Sequence, residues 1–262
     1  MAGLLGDLAD LVLPAPCAGC GAERVPMRYG VCLPCAARLE ALRPFRTALE
    51  PPPAGLPVCV AVGPYESALR GALLAYKEKG RHRLAKPLGG LLATAVAAIA
   101  PRGEPVTLVP VPSTAAAARE RHGDHMLRLA AHSVRRLRAA GWEAAVSRRL
   151  EALPRPDSTS LSVAGRRAAA EDSLRIRRAR IGVPWHAMPG EGRLVLVDDI
   201  VTTGATLAAA TGRLEEAKMQ VAGAALLAAT QLRRSSLAGF GNFSPGVTEK
   251  VESRAFGIPN EG

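Results

Sequence analysis

Twelve consecutive residues, Val195-Leu196-Val197-Asp198-Asp199-Ile200-Val201-Thr202-Thr203-Gly204-Ala205-Thr206, place an apolar run, two carboxylates and a hydroxyl-rich turn in an order that suits the capture of a phosphate group. In open α/β sheets ligands sit beyond the carboxyl ends of the strands. Thr203, Gly204 and Ala205 can turn successive backbone N–H groups toward one anion, with Gly204 allowing close backbone approach and the following helix adding the partial positive charge of its N-terminus. The hydroxyls of Thr202 and Thr206 can donate to the same oxygens.

A carboxylate does not favour contact with a phosphate, so Asp198 and Asp199 call for a different partner in that site, and sugar hydroxyls are suitable donors. A phosphate cradle beside two ribose-reading acids describes a site for a pentose 5-phosphate. No Lys follows the glycine directly, which argues against a Walker-type nucleotide loop. The plainer alternative is that Asp199 or Thr202 caps the next helix, a common role for both residue types.

A second group of residues offers metal chemistry. Cys17 and Cys20 form one Cys-x-x-Cys pair, and Cys32 and Cys35 form another eleven residues on. Each pair can present two thiolates from a tight turn, and together they complete a tetrahedral site. A structural Zn²⁺ is the leading expectation. An iron–sulfur centre is the runner-up, and two unconnected redox motifs are the remaining alternative. Cys59 lies in an apolar run and reads as a buried free thiol.

The elements that would hold these groups follow from periodicity. Val58 to Val62, residues 106–109, residues 194–197 and residues 221–229 read as strands, the last two as unalternating runs expected of strands buried on both faces. Leu84, Leu88, Leu91, Leu92, Ala95, Val96 and Ile99 follow helical spacing up to Pro101. Leu127, Ala130, Ala131, Val134 and Leu137 mark the face of another helix, and residues 206–218 form a third. Strands alternating with helices predict an α/β fold, a parallel twisted sheet with helices on both faces, plus a small N-terminal knuckle. The expected organisation is an N-terminal segment 1–50 with the four-Cys core at 14–38, a Pro-rich linker 51–57, a main domain 58–232 and an irregular tail 233–262. Pro154, Pro156 and a Ser/Thr cluster suggest a mobile loop over 152–165, leading into a short helix around Arg166.

Bulk composition narrows the classes further. The net charge is +11, and the stretch 119–180 carries fifteen Arg against seven acids, or +8. Such a stretch can attract phosphates or nucleic acid, although solvated helix faces account for it equally well. Trp142 is the one aromatic residue in that stretch, which disfavours a base-stacking platform. The longest apolar run, 88–100, is thirteen residues, well short of the ~20 of a membrane span, so no membrane insertion is expected. No secretory signal is read at the start, and a cytoplasmic location is expected.

Four paired cysteines followed by the Val195 to Thr206 motif resemble the ComF family, a type I phosphoribosyltransferase-like domain behind a four-Cys zinc knuckle. Tyr76-Lys77 with Gly80, Pro110-Val111-Pro112, Arg119-Glu120-Arg121 and Leu161 through Arg166 carry the resemblance over about the first 230 residues. The sequence departs from it where the family often reads Arg-Gly-Phe-Asn-Gln and this chain has Arg121-His122-Gly123-Asp124-His125, and where a frequent Asn is Ala169. His122 and His125 are either general acids or plain surface residues.

The resemblance implies that the pentose phosphate is 5-phosphoribosyl pyrophosphate, bound with Mg²⁺, and that the phosphoribosyl group passes to a base or amine. Asp198 and Asp199 are then the candidate catalytic residues. Val111, Pro112 and Ser113 are candidates for the pyrophosphate turn, assisted by Lys77 or Arg121. It also implies a homodimer. The alternative function is a non-catalytic phosphoribosyl pyrophosphate binder of DNA uptake and competence that holds single-stranded DNA on its basic surface. A third reading uses the knuckle to dock a protein partner.

Overall fold

The computed structural model describes residues 15–121, 123–153, 173–177, 192–230 and Ala255. The expected loop at 152–165, the helix around Arg166, His122, Ala169 and nearly all of the tail lie outside them.

The first elements among the described residues are a small antiparallel pair, β1 (Met27–Arg28) and β2 (Val31–Cys32), leading into α1 (Leu33–Glu40), which Pro34 helps to start. The main sheet follows, built from β3 (Phe45–Arg46), β4 (Cys59–Pro64), β5 (Val106–Pro110), β6 (Ala144–Val146), β9 (Arg193–Val201) and β10 (Val221–Ala229). Its order is β3-β4-β10-β9-β5-β6, with all pairings parallel except the short edge strand β3 on β4. Between these run α2 (Ser67–Glu78), α3 (Ala85–Ala97), α4 (Ala115–Glu120), α5 (His125–Ala139) and α6 (Ala205–Glu216). The short strands β7 (Leu150–Ala152) and β8 (Leu174–Ile176) form a separate antiparallel pair.

The sheet is buried on both faces, and alternation along each strand sorts the side chains between them. In β9, Val195 and Val197 join the larger core with α2, α3 and α5, whereas Leu194 and Leu196 join the smaller core with Leu207, Ala210 and Leu214 of α6. In β10, Ala225 and Leu227 take the first side, Ala224 and Leu226 the second. Helix α3 is enclosed almost all round, its Lys86 excepted, so it is a core helix and not an amphipathic one. Cys59 is buried with its thiol donating to the Pro57 carbonyl, and burial pushes its pKa up to about 12.

Two expectations are corrected here. The strand expected at 194–197 continues through both acids to Val201, because β10 supplies ladder partners as far as Ala229↔Val201. The buried face of α5 comprises His125, Met126, Leu129, Ala130, Ser133, Val134 and Leu137, so it is turned relative to the expected face, with Leu127 and Ala131 only half-buried. A buried His and Ser hid that stripe from a purely apolar pattern.

The knuckle shares the main core. Val31, Cys35, Ala36 and Leu39 pack in the same cluster as Leu69, Leu73 and Val62. At the seam Gly71 of α2 lies so close to the Ala18 carbonyl that a Cβ would approach its oxygen to 2.4 Å, and only a glycine admits that contact. β3, which precedes the Pro-rich run, also belongs to the main sheet.

Candidate functional site

After β5 the chain moves to β6 on one side of the sheet. When it returns it lays down β9 on the other side of β5 and continues away to β10. The connections therefore diverge between β5 and β9, and a crevice opens at the carboxyl ends of these two strands. It contains a cavity of about 350 Å³. Of the expected site residues, Lys77, Val111, Pro112, Ser113, Arg121, Asp198, Asp199 and Thr206 line it, together with His125 and Thr114.

Each wall has a local cause. Pro110 ends β5, and the Val111 N–H donates to the Val197 carbonyl at 3.0 Å, which ties the Pro-Val-Pro turn to β9. Thr114 caps α4, accepting from the Ala117 N–H at 3.2 Å. Asp124 caps α5, accepting from the Leu127 N–H at 3.0 Å, and so fixes His125 as the first residue of that helix. The Tyr76 hydroxyl donates to the His125 carbonyl at 2.9 Å, and burial raises the Tyr76 pKa to about 12.

Because β9 runs through both acids, their side chains leave on opposite faces. Asp199, 5% exposed, turns toward α2 and α5, where its Oδ2 accepts from Lys77 Nζ at 2.8 Å and from His125 Nε2 at 3.1 Å. Burial acts to raise its pKa, but the His125 hydrogen bond and the Lys77 ammonium outweigh it and hold the carboxyl below its ordinary range. Asp198 is half-buried and accepts from the Asp199 N–H through Oδ1 at 2.9 Å. Burial, and then the negative charge of Asp199, push its pKa up to about 8. The pair thus divides into an anchored carboxylate and a carboxyl pushed toward its protonated form, in which it can both donate and accept.

The loop after β9 differs from a simple cap. Gly204 is the N-cap of α6 with φ +74°, and no side chain caps the helix; Thr203 Oγ1 makes only a long contact with the Ala205 N–H, 3.4 Å. The capping alternative for Asp199 and Thr202 is therefore excluded, since Asp199 is committed to Lys77 and His125 and Thr202 is exposed. Thr203 is exposed too, and Ala205 half-buried, so these residues stand at the rim of the crevice and not in the wall of the cavity. A Cβ on Gly204 would come within 2.7 Å of Leu49 and 2.9 Å of Leu56. Its small size is needed for packing beneath the loop as well as for the left-handed turn.

His125 is the residue that sequence reasoning left between acid and surface group; it is 5% exposed and not a surface residue. Since Asp199 is ionised, His125 Nε2 donates to it, which leaves Nδ1 facing the Ser113 hydroxyl at 3.3 Å. The signal was available in the helix phase, because His125 lies one turn before buried Leu129. On the cationic side, Arg121 has a buried Nε with no hydrogen-bond partner among the described residues, and its ion pair with Glu78 is long at 3.8 Å. An unpartnered guanidinium N–H in a cavity wall is a donor held ready for an anion.

The second site is the four-Cys cluster. The Sγ atoms of Cys17, Cys20, Cys32 and Cys35 lie within 4.8 Å of one another, with Cys20 and Cys32 3.8 Å apart. Thiolates ~2.3 Å from a tetrahedral zinc stand ~3.8 Å apart, so the four fit such an ion. Cys17 Sγ accepts from the Cys32 N–H at 3.2 Å and the Gly19 N–H at 3.4 Å. Against the upward push of burial, such bonds lower its pKa to about 6, while burial raises Cys32 and Cys35. Crowded thiols with one already inclined to ionise need a cation before the rest can follow. No helix among the described residues is long and apolar enough to cross a membrane.

No family model matches the sequence, and no curated protein matches it significantly.

Proposed function

We propose that the crevice binds 5-phosphoribosyl pyrophosphate and that the chain is a phosphoribosyltransferase of the type I fold, related to the ComF proteins. The observation that carries this reading is the convergence, at one switch point, of an uncapped helix N-terminus, two cationic side chains and two differently charged carboxyls. The 5-phosphate would sit on the loop from Thr202 to Thr206, which offers N–H groups, hydroxyls and a helix dipole. Asp198, as a donor and acceptor, would read the ribose hydroxyls. The pyrophosphate would meet Val111, Pro112 and Ser113 and draw on Arg121 and Lys77. Mg²⁺ supplies charge neutralisation for the leaving group.

In such a transfer C1 acquires oxocarbenium character as pyrophosphate departs, and the protein acts by positioning and electrostatics. Catalytic roles for Asp198 and Asp199 take different forms here: Asp198 would touch the sugar, whereas Asp199 would act through Lys77 and His125. The four cysteines would hold a structural Zn²⁺, with no ligand position left open. A cytoplasmic homodimer belongs to the same reading.

The second reading, a non-catalytic binder with affinity for single-stranded DNA, draws on α5, whose fifteen residues include four Arg and no carboxylate. Release of pyrophosphate from the Mg²⁺ complex, measured across a panel of bases and amines, separates the two. Turnover with any acceptor supports the transferase, and silence with every acceptor favours the binder.

A further inference from the structure

Three side chains on three separate elements form a continuous hydrogen-bonded array in the cavity wall. Ser113 Oγ lies 3.3 Å from His125 Nδ1, and His125 Nε2 donates to Asp199 Oδ2 at 3.1 Å. The outer member is half-buried, the inner two are buried, and all three line the cavity. A binding site alone needs no such order. A buried imidazole whose far nitrogen is held by an ionised carboxylate, and whose near nitrogen faces a hydroxyl, is arranged to take a proton from that hydroxyl.

The cavity also restricts what could supply the proton. No Phe, Tyr or Trp lines it among the described residues, so no large aromatic face is offered there for stacking a planar base. At about 350 Å³ it lies near the lower end of the ~300–1,000 Å³ usual for ligand pockets.

We propose that Ser113, His125 and Asp199 form a proton relay that activates a small protic nucleophile, water or ammonia, for attack on C1 of the bound phosphoribosyl pyrophosphate. This rests on the reading of the crevice given above. In the step, the C1–O bond to pyrophosphate breaks and its electron pair leaves on the pyrophosphate oxygen. The lone pair of the nucleophile forms the new bond to C1. The proton the nucleophile sheds passes to Ser113 Oγ as the hydroxyl proton of Ser113 passes to His125 Nδ1. The imidazolium so formed is held through Nε2–H by the Asp199 carboxylate. The products are pyrophosphate and ribose 5-phosphate, or its 1-amino counterpart when ammonia attacks. Ser113 and His125 are the catalytic residues of this step, and Asp199 is a positioning residue.

Lys77 shapes when the relay can work. It shares Oδ2 with His125, so a protonated imidazole sets two cations against one carboxylate. A bound pyrophosphate supplies the missing negative charge, which ties proton uptake to an occupied site. The other charged groups around His125 are Asp124 before it, Arg128 one turn on, and Arg121 across the cavity, with Tyr76 at its backbone.

The test follows pyrophosphate release from Mg²⁺-phosphoribosyl pyrophosphate in water alone and with added ammonium chloride, beside calorimetric binding of the same ligand. It uses the full chain, Ser113→Ala and His125→Gln, where Gln keeps a hydrogen-bonding side chain but cannot carry the proton. Wild type should release pyrophosphate at a rate that rises with pH, as general-base catalysis requires. His125→Gln should bind with similar affinity, lose ~10²-fold or more in rate, and show no rise with pH. Ser113→Ala should lose rate in the same direction. Unchanged rate and pH profile in both variants overturns the relay, as does a wild type that binds the ligand yet releases no pyrophosphate by either route. Both of those results leave the binding reading intact. Absence of binding by wild type overturns the two together.

Discussion

Asp198 and Asp199 are adjacent in β9 and point to opposite faces of the sheet, so one becomes an anchored carboxylate and the other a raised, half-buried carboxyl. The site's chemistry follows from this division. Asp199 fixes Lys77 and His125 on the α2/α5 side, and Asp198 is left to the ligand.

Replacing Asp199 by Ala removes the shared acceptor of two donors and leaves Lys77 and His125 facing each other. Breaking a buried ion pair costs ~3–5 kcal/mol. Lys77 keeps 20% of its side-chain surface exposed, so the loss expected in urea unfolding is nearer roughly 2–3 kcal/mol. Adding Lys77→Met should restore part of it. A double variant less stable than the sum of the two single changes would contradict the pairing.

Stability should depend on pH through Asp198. Its native pKa, about 8, lies above its unfolded value, so the native state binds more protons and stability falls as pH rises from ~4 to ~8. Asp199 acts in the opposite sense, contributing stability above its unfolded pKa of ~3.9 that is lost as acid protonates it. Asp198→Asn mimics the protonated form and should flatten the fall toward alkaline pH, gaining on the order of 2 kcal/mol over wild type at high pH once partial exposure is allowed for. Thermal unfolding of both proteins across pH measures this, and parallel curves would refute the assignment.

Gly204→Ala combines a φ of +74° with contacts to Leu49 and Leu56 too close for a methyl group. The expected cost is about 1–3 kcal/mol. Trimming Leu56 to Ala should recover the packing share and leave the backbone share, as read from denaturant midpoints.

Metal removal should lower the stability of the whole chain. Cys35, Ala36 and Leu39 share a core with the main sheet, so stripping the ion with a strong chelator should shift a single unfolding transition downward. Protein purified without chelators should contain about one zinc per chain. A separate early transition, or no metal, would contradict this arrangement.

Much of this was legible in the sequence, and the exceptions have physical causes. β10 occupies the residues expected of it, and α6 begins one residue from its expected start, because an unbroken apolar run and a Gly turn are strong local signals. Helix α2 was not anticipated, although Ala68, Leu69, Ala72, Leu73 and Tyr76 have helical spacing, because five of its first six residues are small or charged. The strands β6, β7 and β8 have three residues each and depend on neighbours for their pairing, which no local pattern reveals. The motif around Asp198 was readable as a buried strand that leads through a Gly turn into a helix. The division of labour within it was not, since that depends on where β9 ends and on Lys77 and His125, which lie 122 and 74 residues away in sequence.

The central claim is that the crevice reads a ribose through Asp198 while Asp199 holds Lys77 and His125 in place. Calorimetric titration of Mg²⁺-phosphoribosyl pyrophosphate into wild type and into the Asp198→Asn/Asp199→Asn double variant tests it most directly, with inorganic pyrophosphate as a parallel ligand. Wild type should bind saturably, and the double variant should bind phosphoribosyl pyrophosphate at least ~10-fold more weakly, about 1.4 kcal/mol, with a smaller loss of affinity for inorganic pyrophosphate. Equal affinity of both proteins for phosphoribosyl pyrophosphate, or none in wild type, would contradict the account.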